Sequence, residues 1–261
     1  MTIAPEGQAQ NTDRSLPQID TLGSFAPDPG NLRANNIVGF QSRRIEARPF
    51  NLLRTQVSKR CVQTGWKILG VTSAEPGAGK SFVSLNLAAA LAVVEKRPVY
   101  LFDLDFCRAS LARELGLEIE VGLADYLVGA TDDLSKVGRR IEGLNLTVFG
   151  TNSWTQDTAS LFSGERFATL VQMMRRVPDG ALVICDLPPV FANDDAMIIA
   201  QSLDAYLAVV NSGETNRKQL VEAFAMLEPT PRIGTVLNRY DGGLSDPYGY
   251  GSYAGNYAKY Y

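Results

Sequence analysis

The 261-residue chain contains no histidine. That absence removes histidine-based catalytic triads, histidine metal sites and imidazole acid–base chemistry. Cysteine is scarce: Cys61, Cys107 and Cys185 are odd in number and far apart, which argues against a disulfide framework and fits a reducing cytoplasm. There is no basic excess, since 25 Lys+Arg stand against 28 Asp+Glu, so a nucleic-acid surface is not expected. Long apolar runs are missing too. The most apolar stretch, residues 85–94, is roughly half of what a membrane span needs and reads as a buried helix. The opening MTIAPEGQAQ lacks the basic start and apolar run of a secretory signal. No direct membrane span is expected, and a membrane role would need something else to bring the chain there.

Residues 1–40 are rich in Pro, Gly, Asn, Gln, Asp and Ser and are expected to be a disordered N-terminal segment. Over 43–63, Phe50, Leu53 and Val57 fall at helical spacing, with Pro49 near the start. Strands and helices then alternate. Strands are expected at 66–73, 99–104, 144–149, 181–186, 205–210 and 233–237. Helices are expected at 80–94, 122–127, 163–176, 194–201 and 215–227. Unbroken apolar strands separated by helices predict an α/β fold: a mostly parallel central sheet covered by helices on both faces, with ligands bound at the carboxyl ends of the strands. This folded region is expected over 41–239. Residues 240–261 hold seven of the ten tyrosines and five glycines with no periodicity, and read as a flexible tail.

Residues 74–81, AEPGAGKS, match the Walker A phosphate loop with alanine in the first glycine's place, between a predicted strand and a predicted helix. Gly77 and Gly79 let backbone amides turn inward around phosphates, and the helix start adds its positive end. Lys80 reaches the β- and γ-phosphates and Ser81 offers a hydroxyl to Mg²⁺. Pro76, Gly77, Ala78, Gly79, Lys80, Ser81 and Phe82 are the expected nucleotide contacts, with ATP and Mg²⁺ as the ligands. LFDLD places Asp103 and Asp105 at the end of one strand, and ALVICD places Asp186 at the end of another. A carboxylate at such a strand end can hold Mg²⁺ or accept a proton from an attacking hydroxyl, or merely cap the next segment. Ser81, Asp103 and Asp186 are the candidate metal ligands. Lys80, Asp103, Asp105 and Asp186 are the candidate catalytic groups.

In order, AEPGAGKS, LFDLD and VICDLPP resemble the Walker A, Walker A′ and Walker B motifs of the bacterial tyrosine kinases of capsular and exopolysaccharide synthesis. VLNR at 236–239 and the terminal tyrosine cluster are similar as well. The resemblance implies a P-loop NTPase fold and an ATP-dependent protein-tyrosine autokinase. Asp103 would be the base or Mg²⁺ ligand, Asp105 its partner, Asp186 the Walker B carboxylate, and Asn238 a contact to adenine. It further implies phosphorylation of Tyr248, Tyr250, Tyr253, Tyr257, Tyr260 and Tyr261, self-association, and a cytoplasmic protein recruited to the inner face of the membrane by a membrane-bound polysaccharide co-polymerase that activates it.

Some positions depart from that pattern. Cys107 stands where the family has Arg, and Leu187 where it has Thr or Ser. Of the Glu-x-x-Arg-x-x-Arg assembly motif, which aligns with Arg48, Asn51 and Arg54, only the last position is kept. These departures favour an alternative: an ATP-binding regulatory subunit of the polysaccharide export machinery with weak or no kinase activity. A third reading, a partitioning or cell-division-positioning ATPase, calls for a lysine where this chain has Glu75.

Overall fold

The computed structural model describes residues 15–154 and 156–240. The chain opens with a 3-10 turn at Ile19–Thr21, β1 (Gly23–Phe25) and α1 (Pro29–Ala34). A second 3-10 turn, Ile45–Ala47, leads into α2 (Arg48–Thr64), β2 (Ile68–Ser73), α3 (Lys80–Glu95) and β3 (Val99–Asp103). Next come α4 (Ser110–Leu115), α5 (Leu123–Leu127), β4 (Gly138–Ile141), β5 (Leu146–Phe149), α6 (Thr158–Ser163) and α7 (Glu165–Arg175). The chain closes with β6 (Leu182–Asp186), α8 (Asp195–Ala200), β7 (Ala205–Asn211), α9 (Arg217–Met226) and β8 (Arg232–Asn238).

The eight strands form one sheet in the order β1-β4-β5-β3-β6-β2-β7-β8. Every neighbouring pair is parallel except β4 with β5. The α/β class with a mostly parallel sheet is thus as expected. Strands β2, β3 and β6 are buried at every position, which is why they read as continuous apolar runs. Alternate side chains feed two cores. Leu69, Val71, Leu101 and Ile184 pack against α2 and α3. Ile68, Phe102, Val183 and Cys185 pack with residues of α5 and α7. Phe102 stacks on Phe149 across β3 and β5 with ring centroids 4.4 Å apart, worth about 0.5–1.5 kcal/mol beyond its area. Helix α3 is apolar all round because it lies between the sheet and α2, with Leu85, Leu87, Ala88 and Leu91 almost wholly buried.

Disorder over residues 1–40 is corrected from residue 15 onward. Leu16, Leu22, Leu32 and Ile37 are buried, so apolar positions too sparse to show a period still find core sites. Asp28 caps α1 by accepting the Asn31 amide at 2.7 Å, with Pro29 opening the helix. Asn31 and Asn35 donate to the Glu114 carbonyl on α4 at 2.7 and 3.0 Å. The buried Asn86 of α3 accepts the Val38 and Gly39 amides at 2.7 and 2.8 Å. A side chain at Gly39 would strike the Asn86 carbonyl, so the close approach needs glycine.

The helix expected over 163–176 is α7, which starts at Glu165 because Gly164, with an extended ψ of 162°, ends the preceding α6 and caps α7. Strands β1 and β4 and helices α1, α4 and α6 have no counterpart among the expected elements. The tyrosine-rich tail, apart from Tyr240, lies outside the described residues.

Candidate functional site

The carboxyl ends of β2, β3 and β6 are adjacent, so the segments that follow them share one rim. The first is the phosphate loop. Gly77 and Gly79 take φ of 84° and 89°, a region that costs an L-side chain strain, and the chain enters α3 directly at Lys80. The first amides of a helix have no acceptor within it, so here they are free for an anion. Ala78, Lys80 and Ser81 are buried while Pro76 is exposed.

Asp103 and Asp186 face each other as register partners on β3 and β6, both fully buried. One oxygen of each is held: Asp103 Oδ2 accepts the Leu111 amide of α4 at 3.1 Å, and Asp186 Oδ1 accepts the Ser84 hydroxyl at 3.0 Å. The other two, Asp103 Oδ1 and Asp186 Oδ2, are buried without a partner. Asp105 does not extend the strand, which ends at Asp103. It sits in the following turn, where its Oδ2 accepts Lys80 Nζ at 2.5 Å and its Oδ1 accepts the Arg108 amide at 3.2 Å.

Burial pushes the Asp103 carboxyl well above its ordinary range, and the Asp186 charge pushes it further. Burial raises Asp186 to about 6, against the pull of Lys80 and the Ser81 hydroxyl. For Lys80, burial works to lower the pKa, yet Asp186, Asp105 and Asp103 together outweigh it and the net shift is upward. One ammonium therefore serves three buried carboxyl groups, a balance that additional positive charge would improve.

These residues fit Mg²⁺ and a nucleotide phosphate. The two orphaned carboxylate oxygens and the Ser81 hydroxyl are hard oxygen donors, the type that Mg²⁺ prefers. The loop glycines leave open backbone at Gly77, where an added Cβ would meet nothing within 4 Å.

Two of the expected nucleotide contacts also have partners within the fold. The Phe82 ring turns away to meet Phe50 of α2 edge-on at 5.4 Å, leaving only its backbone amide for the loop. Asn238, at the end of β8, donates to the Ala78 carbonyl at 2.8 Å and lies against Gly79. Leu187 packs in the core against Gly70 with Leu203, so its departure from Thr or Ser is absorbed as apolar packing. Asn51 holds the Ser42 carbonyl at 2.8 Å, a local tie on α2. Glu75 accepts a hydrogen bond from Gln219 at the start of α9. Sequence reasoning missed Ser84 and Glu114. Ser84 lies one helical turn beyond Lys80, a spacing that could have revealed it. The Glu114 carboxyl is raised to about 7 by burial and then by Asp186, and no spacing rule announces it.

A ParA-family profile, described as NUBPL iron-transfer P-loop NTPase, matches residues 66–227. The chain is 31% identical over 198 residues to tyrosine-protein kinase CpsD of Streptococcus pneumoniae, covering 74% of this chain and 84% of that protein. It is 29% identical to tyrosine-protein kinase etk of Escherichia coli, a match that takes in 76% of this chain but 27% of etk. The solved kinase domain of Escherichia coli tyrosine kinase ETK superposes with a TM-score of 0.70 at 27% identity, over 77% of this chain and 79% of that one. No helix among the described residues is long and apolar enough to cross a membrane. With its phosphate loop, its two acidic strand ends and these relatives, the chain belongs to the bacterial tyrosine-protein kinase family of P-loop NTPases.

Proposed function

We propose that this protein is an ATP-dependent protein-tyrosine autokinase that regulates exopolysaccharide or capsule synthesis and export and modifies its own C-terminal tyrosines. The observation that carries the reading is the convergence of Lys80, Asp105, Asp103 and Asp186 at one rim, with two carboxylate oxygens buried and unpartnered. Bound Mg-ATP would supply the phosphoryl group and neutralise charge as it transfers. The chain's own residues do the rest. Amides of residues 77–82 cradle phosphate oxygens. Lys80 exchanges its Asp105 partner for them, placing an ammonium where negative charge develops. Ser81, Asp103 and Asp186 are the oxygens that would hold the metal. Asp103 is also the candidate base for the proton of an incoming tyrosine hydroxyl, through whichever of its oxygens the metal leaves open. Asn238 supports the loop at Ala78 and is the adenine-side contact.

The acceptors are Tyr248, Tyr250, Tyr253, Tyr257, Tyr260 and Tyr261, offered by one copy to another. Each phosphotyrosine adds about −1.5 to −2 charges, so several on one tail would drive an assembly apart. A membrane-bound polysaccharide co-polymerase is the activating partner and recruits the cytoplasmic chain to the membrane. Mass spectrometry after incubation with Mg-ATP, with and without the partner's cytoplasmic segment, tests this. Phosphotyrosine in residues 240–261 that vanishes in Lys80→Met supports it. Nucleotide binding with an unmodified tail under both conditions selects the regulatory, non-kinase reading that Cys107 favours.

A further inference from the structure

Positive charge is unevenly placed along this chain. Residues 41–67 hold seven of its 25 Lys+Arg and one of its 28 Asp+Glu, so the rest is correspondingly acidic. The segment comprises the second 3-10 turn and α2, and takes no part in the steps above. Some of the charge is used inside the fold. Arg44 pairs with Glu46 at 3.2 Å, Lys67 with Asp179 at 2.9 Å and Arg54 with Glu95 at 3.9 Å. Lys59 and Arg60 are exposed and have no acidic partner among the described residues. An ordinary solvated face mixes both signs, whereas the chain supplies no carboxylate from Ala47 to Lys67.

Helix α2 fixes the side on which this charge stands. Phe50, Val57 and Cys61 form its inward face, in the core shared with α3. Positions 48, 52, 55, 59 and 62, spaced four and three apart, therefore share the outward face. They carry Arg48, Leu52, Thr55, Lys59 and Val62, all exposed, with Arg60 flanking them. Leu52 is 54% exposed and Val62 78%. Beside the last turns of α2 is an open depression of about 620 Å³, with Lys59, Val62 and Gln63 on one side and Arg97 and Gly180 on the other. Glu95 also lines it, but its charge is met by Arg97 at 3.0 Å and by Arg54. Arg97 and Gly180 precede β3 and β6, whereas the phosphate loop follows β2. The depression and the nucleotide site thus lie at opposite ends of these parallel strands.

We propose that the outward face of α2 docks on an anionic lipid bilayer, with Lys59 and Arg60 over the headgroups, Leu52 and Val62 entering the interface, and the depression beside Lys59 receiving a headgroup phosphate. Single aliphatic side chains set between cations at helical spacing suit a bilayer surface, where shallow apolar burial and attraction to anionic lipid add together. A protein partner calls for an apolar, aromatic-rich centre poor in lysine, and this stripe includes no aromatic ring. A nucleic acid, gripped mainly through its phosphates, leaves Leu52 and Val62 without a role. Two positions aligned with the family's assembly motif are turned to other uses, since Asn51 holds the Ser42 carbonyl and Arg54 meets Glu95. The inference goes beyond recruitment by a partner and does not rest on tyrosine phosphorylation.

The test is flotation of the full chain with vesicles of phosphatidylcholine alone or mixed with phosphatidylglycerol. Binding to the mixed vesicles and not to pure phosphatidylcholine is expected at about 0.1 M salt, falling about tenfold at about 0.5 M, where screening shortens the reach of the charges. Each surface cation contributes about fivefold near an anionic bilayer, so Lys59→Gln combined with Arg60→Gln should weaken binding by about 25-fold. Val62→Ser, which changes no charge, should weaken it by about threefold. Lys218→Gln removes a cation from the exposed start of α9 and should bind like the unaltered chain. Melting temperature and Mg-ATP affinity should hold in every variant. No binding to the mixed vesicles, equal binding to pure phosphatidylcholine, or a loss in Lys218→Gln as large as in Lys59→Gln overturns the inference. Sedimentation velocity without vesicles and titration with duplex DNA separate the other occupants. If the Lys59 and Arg60 substitutions alter self-association or DNA binding while vesicle binding is unchanged, the face serves a second copy or a nucleic acid, and the inference falls.

Discussion

Asp103 and Asp186 are direct register partners on neighbouring parallel strands, each fully buried and each with one oxygen unsatisfied. Burial and mutual proximity disfavour the charged forms of both carboxyl groups, which costs the ligand-free fold stability. Asp103→Asn is therefore expected to raise the stability of the ligand-free protein by about 1–3 kcal/mol, while abolishing the additional stabilisation conferred by Mg²⁺ and ATP. Thermal melts with and without Mg-ATP read both effects. A variant less stable than the unaltered chain in the absence of ligand would show that the pair is not strained.

Lys80 is the cation among those carboxyl groups, and its 2.5 Å pair with Asp105 is almost wholly buried. Lys80→Met should abolish tyrosine labelling and cost about 3–5 kcal/mol, the usual result of leaving a buried charge unpaired. The cost should shrink as the pH falls from 8 toward about 6, because without Lys80 the buried Asp186 carboxyl takes up its proton at a higher pH than in the unaltered chain. Chemical denaturation at pH 8 and pH 5.5 measures the difference; an equal cost at both would contradict the charge argument.

Glu114 gives a separate pH signature. Its carboxyl is raised from 4.5 to about 7, first by burial and then by Asp186. A carboxyl with a raised folded-state pKa binds its proton more tightly folded than unfolded. Its contribution is therefore most favourable below about 4.5 and is lost as the pH climbs to about 7. Glu114→Gln should flatten that limb and stabilise the protein at pH 8 by on the order of 2 kcal/mol. Melting curves across pH 5 to 8 check the sign, since a Gln variant that melts lower at pH 8 would reverse it.

Asn86 holds the amino-terminal strap through the amides of Val38 and Gly39. Asn86→Ala leaves two amides without their acceptor, at about 1–3 kcal/mol each. Hydrogen exchange should show faster exchange confined to residues 15–40 and α3, with nucleotide affinity retained. Protection unchanged at Val38 and Gly39 would rule out the clamp.

The site was legible in the sequence because its chemistry lies in contiguous strings. AEPGAGKS, LFDLD and VICDLPP each sit where a strand hands over to a loop, and a parallel sheet brings such ends together without needing any distant information. The buried strands were legible for a related reason, since burial on both faces leaves no alternation to misread. What escaped was whatever depends on contacts far along the chain. The strap over 15–40 looks polar because its order comes from Asn86, Glu114 and a few scattered leucines rather than from a period of its own. The strand β4 has only half its positions buried and pairs antiparallel with β5 beside it, a local hairpin inside a parallel fold. Phe82 was assigned with its loop, yet its ring answers to α2.

The bond from Asn238 to the Ala78 carbonyl joins the last residue of the sheet to the middle of the phosphate loop. Two residues later, at Tyr240, the tyrosine-bearing segment begins. One hydrogen bond thus makes the last strand a brace for the phosphate loop, so a shift of the strand end is felt at Ala78 and a shift of the loop at Asn238.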